Sequence, residues 1–283
     1  MWGIDTAPVQ GAVYSLLENH YNVDILDEWA LKQRLAGFPV VVAPEQDCMS
    51  DEMVEELKDY VKQGGKLLLS GAAALERFGS RFLGVRAAEL QEKQTYHVPA
   101  AEGSLPVYSQ TWQMVRPTRA RGMGRLGRSA LLDERLLPYP AAALNQVGQG
   151  AVAYIPFDLF RFFEKNRYPL ARAFIGQVMG ALAGRLPIHI EAPTCVDAVL
   201  RRKENRLIVH LINRASGIPN RPNDGTVDEV PTVGPIQVEA RLAQKPKKVR
   251  LAFERGKLKW KFQRGKLKAH LDQIHIHAAI VIE

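Results

Sequence analysis

Ser70-Gly71 closes the apolar run Lys66-Leu67-Leu68-Leu69 and precedes the small-residue stretch Ala72-Ala73-Ala74-Leu75. A strand-to-helix turn is where a nucleophile elbow holds a serine for acyl transfer, so Ser70 is a candidate nucleophile. The elbow pattern G-x-S-x-G is broken, because Leu68 stands at its first glycine. Cys48 is the other candidate, but it lies in the loop after the preceding strand. A turn of small packing residues is therefore the better account than a weak hydrolase built on Ser70 or Cys48. Glu45 and Gln46 follow the apolar run Val40-Val41-Val42. Ligands of open α/β sheets bind beyond the carboxyl ends of the strands, so Glu45 either contacts a ligand there or caps a neighbouring helix. Asp158 and Arg161, just past the run Ala151 to Ile155, either face the same crevice or form a local ion pair. The candidate ligand-binding set is thus Glu45, Gln46, Ser70, Gly71, Asp158 and Arg161, with no residue assigned to catalysis.

Other chemistries are weaker. His275 and His277 alternate on one strand and share a face, and two histidines can begin a metal site. No cysteine or carboxylate is spaced to complete one, so neither metal nor cofactor is expected. Arg116 to Arg128 (RPTRARGMGRLGR) is rich in Arg and Gly and lacks Walker spacing. It reads as a solvated connection that could hold an anion.

The elements that position these residues begin with one β-α-β unit, Pro39 to Gly71. The Val run is apolar and β-branched, as in a strand buried on both faces. Ser50 is the N-cap of the helix, and Asp51 and Glu52 load its first turn with negative charge. Met53, Val54, Leu57 and Val61 give that helix one apolar face, and Gly64-Gly65 ends it. Such a crossover joins parallel neighbours in a right-handed sense. Upstream, residues 9–20 read as an amphipathic helix, Val23 to Leu26 as a strand and Glu28 to Leu35 as a second helix. The first strand of a doubly wound domain is missing, since Trp2-Gly3-Ile4 is a poor substitute. Either the chain is cut from a longer protein or another segment fills that slot. Downstream, a helix runs from Ala72 to about Phe78, and Thr95 to Val98 and Pro106 to Val107 read as short strands. Ala141 to Leu144 and Ala151 to Ile155 form a hairpin about Gly148-Gln149-Gly150. A helix from Pro169 closes at Gly184, before Pro187. An α/β domain over residues 1–187 follows.

From Ile188 the texture changes. Seven short alternating runs lie between Val196 and Ile282, without helical periods, and predict a β-sandwich over residues 188–283. A long loop rich in Pro, Gly and Asn spans Arg214 to Val233. The segment Arg255-Gly-Lys-Leu-Lys259 recurs as Arg264-Gly-Lys-Leu-Lys268, each Arg-Gly marking a hairpin turn. Leu258, Trp260 and Phe262 share one face and the lysines the other, which reads as a solvated sheet face that discourages edge-to-edge pairing.

Composition narrows the class. Of 283 residues, 46% are hydrophobic, so the chain can bury real cores. No apolar run approaches the roughly 18 residues of a membrane span, and no signal peptide is visible. Two cysteines, far apart, give no disulfide framework, and a cytoplasmic location is the simplest expectation. Residues 1–187 hold 20 Lys+Arg against 20 Asp+Glu, whereas residues 188–283 hold 18 against 10 and carry the whole net charge of +8. The basicity is local, so neither nucleic acid nor membrane is an expected partner.

The stretches TAPVQGAVYSLLE, VDILDEW, VVVAPEQ, MSDEMVEELKDYVKQGGKLLLSG and GQGAVAYIPFDLF resemble the β-galactosidase trimerisation domain of glycoside hydrolase family 42 and related glycosidases. RLIVHLINRASG, VDEVPTVGPIQVEARL and IHAAIVIE are similar to the C-terminal β-sandwich of those enzymes. The resemblance implies a flavodoxin-like, class I glutamine amidotransferase-like domain that has lost its cysteine and works in assembly. Ser70-Gly71-Ala72 at the elbow agrees with that. The family's catalytic glutamates lie on a (β/α)8 barrel, for whose ~250 residues this chain has no room. No catalytic residue can be carried over. The implied role is a non-catalytic accessory region, homo-oligomeric and trimeric, or partnered by a separate barrel chain, with carbohydrate as a possible ligand. The competing reading is a sugar or small-molecule binding protein using the strand-end crevice.

Overall fold

The computed structural model describes residues 5–100, 103–130, 136–184, 186–215, 230–253 and 258–283. Residues 2–4, most of the 214–233 loop and the start of the first Arg-Gly-Lys-Leu-Lys copy lie outside them. The chain divides into two compact units, Met1–Ser15 with Ile25–Gly184, and Leu16–Asp24 with Arg185–Glu283. It opens on helix α1 (Ala7–Glu18).

In the first unit, α2 (Glu28–Arg34), β1 (Val41–Ala43), α3 (Asp51–Lys62) and β2 (Lys66–Ser70) follow in order. Then come α4 (Ala73–Phe78), α5 (Ser80–Leu83), the long strands β3 (Val85–Ala100) and β4 (Gly103–Pro117), and β5 (Arg121–Met123). The hairpin β6 (Ala142–Val147) and β7 (Gly150–Ile155) leads into α6 (Leu159–Asn166) and α7 (Pro169–Ala183). A mixed sheet runs in the order β1-β2-β7-β6-β5. Its first three strands are parallel and its last two are antiparallel additions.

The β-α-β unit forms as its residues dictate. Ser50 Oγ caps α3 by accepting from the Met53 amide at 3.2 Å, and Met53, Val54, Leu57, Tyr60 and Val61 are buried. Gly64, at φ +115°, turns the chain into β2, a left-handed position that glycine fills without strain.

Three expectations change. Val23 to Leu26 forms no strand, and Ile25 is two-thirds exposed (66%), so its apolar residues answer to no sheet partner. Thr95 to Val98 and Pro106 to Val107 are only the inner part of a hairpin of 16- and 15-residue strands. The outer half of β3 is exposed on both sides, so its sequence carries no alternation to read. Within Arg116 to Arg128, Arg121–Met123 is β5, the edge of the mixed sheet, rather than loop. Helix α6 adds an element that the sequence did not announce.

Helices α1 and α6 meet closely at Gly11. A Cβ added there would lie 1.9 Å from the Phe160 carbonyl oxygen, which is backbone and cannot step aside. Gly→Ala normally favours a helix by ~1 kcal/mol. Overpacking costs about 1–3 kcal/mol and outweighs that gain here. Gly11→Ala is therefore expected to lower the urea midpoint of unfolding, where the same change at an exposed helical glycine would raise it.

The second unit contains β8 (Ile188–Glu191), β9 (Val196–Lys203), β10 (Arg206–Asn213), β11 (Ile236–Arg241), β12 (Val249–Leu251), β13 (Lys259–Gln263), β14 (Lys266–Leu271) and β15 (His277–Ile282). Two four-stranded antiparallel sheets, β12-β15-β10-β9 and β13-β14-β11-β8, enclose one core. Val209, Leu211 and Ile280 from the first meet Val238, Ala240 and Leu267 from the second. That is a β-sandwich. Arg264 and Gly265 form the β13–β14 turn with φ of +51° and +74°, and Trp260 and Phe262 pack on the core while Lys259 is exposed.

Candidate functional site

The candidate residues lie at the carboxyl ends of β1, β2 and β7, where Glu45, Ser70 and Gly71 are buried, Asp158 and Arg161 half-buried and Gln46 exposed. Glu45 is 8% exposed and Ser70 2% exposed. The chain reaches Glu45 with φ +52°, a left-handed conformation uncommon for a side chain with a Cβ, so the site is held by its surroundings. Gly71, at φ +91°, sits against it, and a Cβ on Gly71 would come 3.2 Å from Glu45 Cα.

Glu45 is committed to the start of α6. Its Oε1 accepts from the Phe160 amide at 2.8 Å and its Oε2 from the Arg161 amide at 3.1 Å. Those amides are orphan donors of the first helical turn, normally satisfied by the N-cap side chain. Here the N-cap is Asp158, whose carboxylate makes no such bond. It turns instead to the β4 backbone and side chains, where Oδ2 accepts from Ser109 Oγ at 2.9 Å and from the Gln110 amide at 3.2 Å. A residue 115 positions away thus caps the helix in its place.

Ser70 completes the knot. Its hydroxyl accepts from the Glu45 amide at 3.1 Å and donates to Glu45 Oε1 at 3.3 Å. The Tyr154 hydroxyl donates to the Gly71 carbonyl at 3.1 Å, and the Gly71 amide donates to Ile155 and Phe157. Arg161 sends its guanidinium to Asp5 and brings only its amide to Glu45. Gln46 is exposed and bonds its own loop at the Pro44 carbonyl. The structure therefore brings Glu45, Ser70, Gly71 and the α6 amides together, places Asp158 beside them, and leaves the Gln46 side chain outside.

Burial, and then the neighbouring Asp158 charge, push the Glu45 carboxyl up to about 8, although the two amides and Arg161 pull the other way. Burial also raises the Tyr154 hydroxyl. Both shifts fit a dry, packed polar cluster. Ser70 shares no hydrogen bond with a histidine among the described residues, and its hydroxyl points into the protein. At the turn itself the residue with positive φ is Gly71, so the slot from which an elbow projects its nucleophile has no side chain. Cys48 is exposed in the β1–α3 connection. Tyr154, Ser109 and the α6 amides are not singled out by the sequence, which gives no sign of the long-range bonds that gather them.

His275 and His277 do not act as a pair. His275 precedes β15 and is exposed, while His277 meets His210 of β10.

A family model described as the β-galactosidase trimerisation domain matches residues 14–77. No curated protein matches the sequence. Among solved structures, α-L-fucosidase isoenzyme 2 from Paenibacillus thiaminolyticus aligns over 100% of this chain and 46% of its own, with TM-score 0.79 and 20% identity. A β-galactosidase from Bacillus circulans sp. alkalophilus aligns over 99% and 38%, with TM-score 0.59 and 13% identity. A GH42 β-galactosidase, Gan42B from G. stearothermophilus, aligns over 96% and 36%, with TM-score 0.58 and 16% identity. The chain spans less than half the length of each of these enzymes. Over residues 14–77 it matches the β-galactosidase trimerisation domain, and over its whole length it shares its fold with part of these glycosidases.

Proposed function

We propose that the chain is a non-catalytic accessory and oligomerisation region of a glycoside hydrolase, working in assembly and in shaping a neighbouring active site. The observation that carries this reading is the filled strand end. Ser70 and Glu45 spend their polar atoms on one another and on α6, and Gly71 holds the turn. A site of this fold that bound or cut a substrate would keep those groups free. The trimerisation-domain match over residues 14–77 supplies the role the scaffold would keep.

On this reading the first unit is a flavodoxin-like, amidotransferase-like domain whose crevice has become core, and Glu45, Ser70 and Asp158 act as structure. The assembly is a homotrimer, the compartment cytoplasmic, and carbohydrate the substrate of the assembled enzyme rather than a ligand of this crevice. Sedimentation velocity over a concentration series tests the proposal. The chain is expected to associate, and a chain that stays monomeric throughout speaks against it.

A further inference from the structure

We propose that His210 and His277 form a two-histidine site for a borderline divalent transition-metal ion, of the class Cu2+, Ni2+ or Zn2+. The two residues come from the neighbouring strands β10 and β15 of the sandwich. In the antiparallel register His210 stands opposite Ala279 and His277 opposite Ile212, so the histidines are diagonal neighbours on one face. Val209 and Leu211, on either side of His210, are buried in the core, which turns His210 to the outer face. The rings are nearly parallel, 16° apart, with His210 Nδ1 3.1 Å from His277 Nε2.

That spacing suits chelation. Two imidazole nitrogens each ~2.0–2.1 Å from one ion lie about 3.3 Å apart at a tetrahedral angle and about 2.9 Å apart at a right angle. The two nitrogens already stand at a chelating separation on strands held by a six-residue ladder, so a turn of the rings that aims both lone pairs at the ion is the adjustment binding requires. Imidazole ligands select Cu2+, Ni2+ and Zn2+ over the hard ions, which take oxygen. Among the described residues no third His, Cys, Asp or Glu joins a metal-sized group, so water fills the other positions.

The proton balance is simple. In the present contact one nitrogen donates and the other accepts. When the ion enters, both lone pairs are needed. The donating ring therefore shifts its proton to its outer nitrogen, Nε2 of His210 or Nδ1 of His277. Both rings stay neutral, and no proton is released. Burial, followed by the charges of His277 and Arg201, holds His210 below the ordinary imidazole range. Arg201 also repels a cation and limits the affinity. The exposed Phe253 ring lies 5.9 Å from that of His277 and screens one side.

Calorimetric titration of the full chain with CuCl2, NiCl2 and ZnCl2 tests the proposal. One ion per chain is expected, with Cu2+ the tightest. His210→Ala and His277→Ala should each weaken binding by about tenfold or more, since each removes one of two protein ligands. His189→Ala, which alters a histidine beside Glu191, should leave it unchanged. Imidazole nitrogen resonances of the wild-type chain, recorded with and without Zn2+, give the same answer if a variant fails to fold, because His210 and His277 should shift and other histidines should not. No binding, or binding that survives both substitutions, or resonance shifts confined to other histidines, would overturn the site.

Discussion

Glu45→Ala is expected to cost about 2–4 kcal/mol of stability, read as a fall in the urea midpoint. The change removes the acceptor of two amides at the start of α6, and each buried donor left unpaired costs about 1–3 kcal/mol. Relief of the buried carboxyl and of its repulsion by Asp158 offsets part of that, since those are what raise its affinity for a proton. The milder Glu45→Gln exposes the pH dependence. The folded carboxyl binds its proton up to about 8, whereas the unfolded one releases it near the ordinary 4.5. A group with a raised folded value stabilises fully below the unfolded value and loses that contribution as pH rises through the folded one. Between 4.5 and about 8 the wild-type chain should therefore lose roughly 1.4 kcal/mol per pH unit through this residue. The unfolding free energy of wild type minus that of Glu45→Gln should fall steadily across that window, so that the Gln variant gains on wild type as pH rises, and level off above about 8. A difference independent of pH would mean that the carboxylate stays ionised, held by the helix amides.

Trp112→Ala should cost about 3–5 kcal/mol, the range for deleting a fully buried large aromatic. Trp112 has no exposed surface, stacks on Phe157 at 4.1 Å and meets Tyr96 edge-on at 5.0 Å. Its indole N–H donates to the Gln94 carbonyl at 3.0 Å, and the next amide, Gln113, donates to Pro156 at 2.9 Å. One side chain thus pins the β3–β4 hairpin to the segment that leads from β7 into α6. Hydrogen exchange should show the hairpin amides losing protection before those of β2 and β7. Trp112→Phe, which keeps much of the stacking, should lose less. Equal losses of protection throughout the unit would show the hairpin to be part of one cooperative core.

The β-α-β unit was legible because its signals agree. The Val run, the Ser50 cap, the α3 apolar face and Gly64 each point to the same boundaries. The sandwich was legible from strands that alternate cleanly, as Leu267 to Leu271 do. The hairpin was not, because Arg86 to Glu89 are exposed on both faces and carry no period. Val23 to Leu26 looked like a strand because apolar residues announce burial but not a partner. At the candidate site the sequence left two readings of Glu45 open, ligand or helix cap. What separates them is a pair of amides 115 and 116 residues away, which only the fold brings within reach. The contact of His277 with His210, 67 residues away, was hidden for the same reason.

The central claim is that this scaffold works in assembly, its strand-end crevice closed to chemistry. Sedimentation velocity of the purified chain, from low micromolar to the highest soluble concentration, measures it most directly. The expected result is a mass-action shift from one copy to three as concentration rises. A single monomeric boundary across the whole range would contradict it.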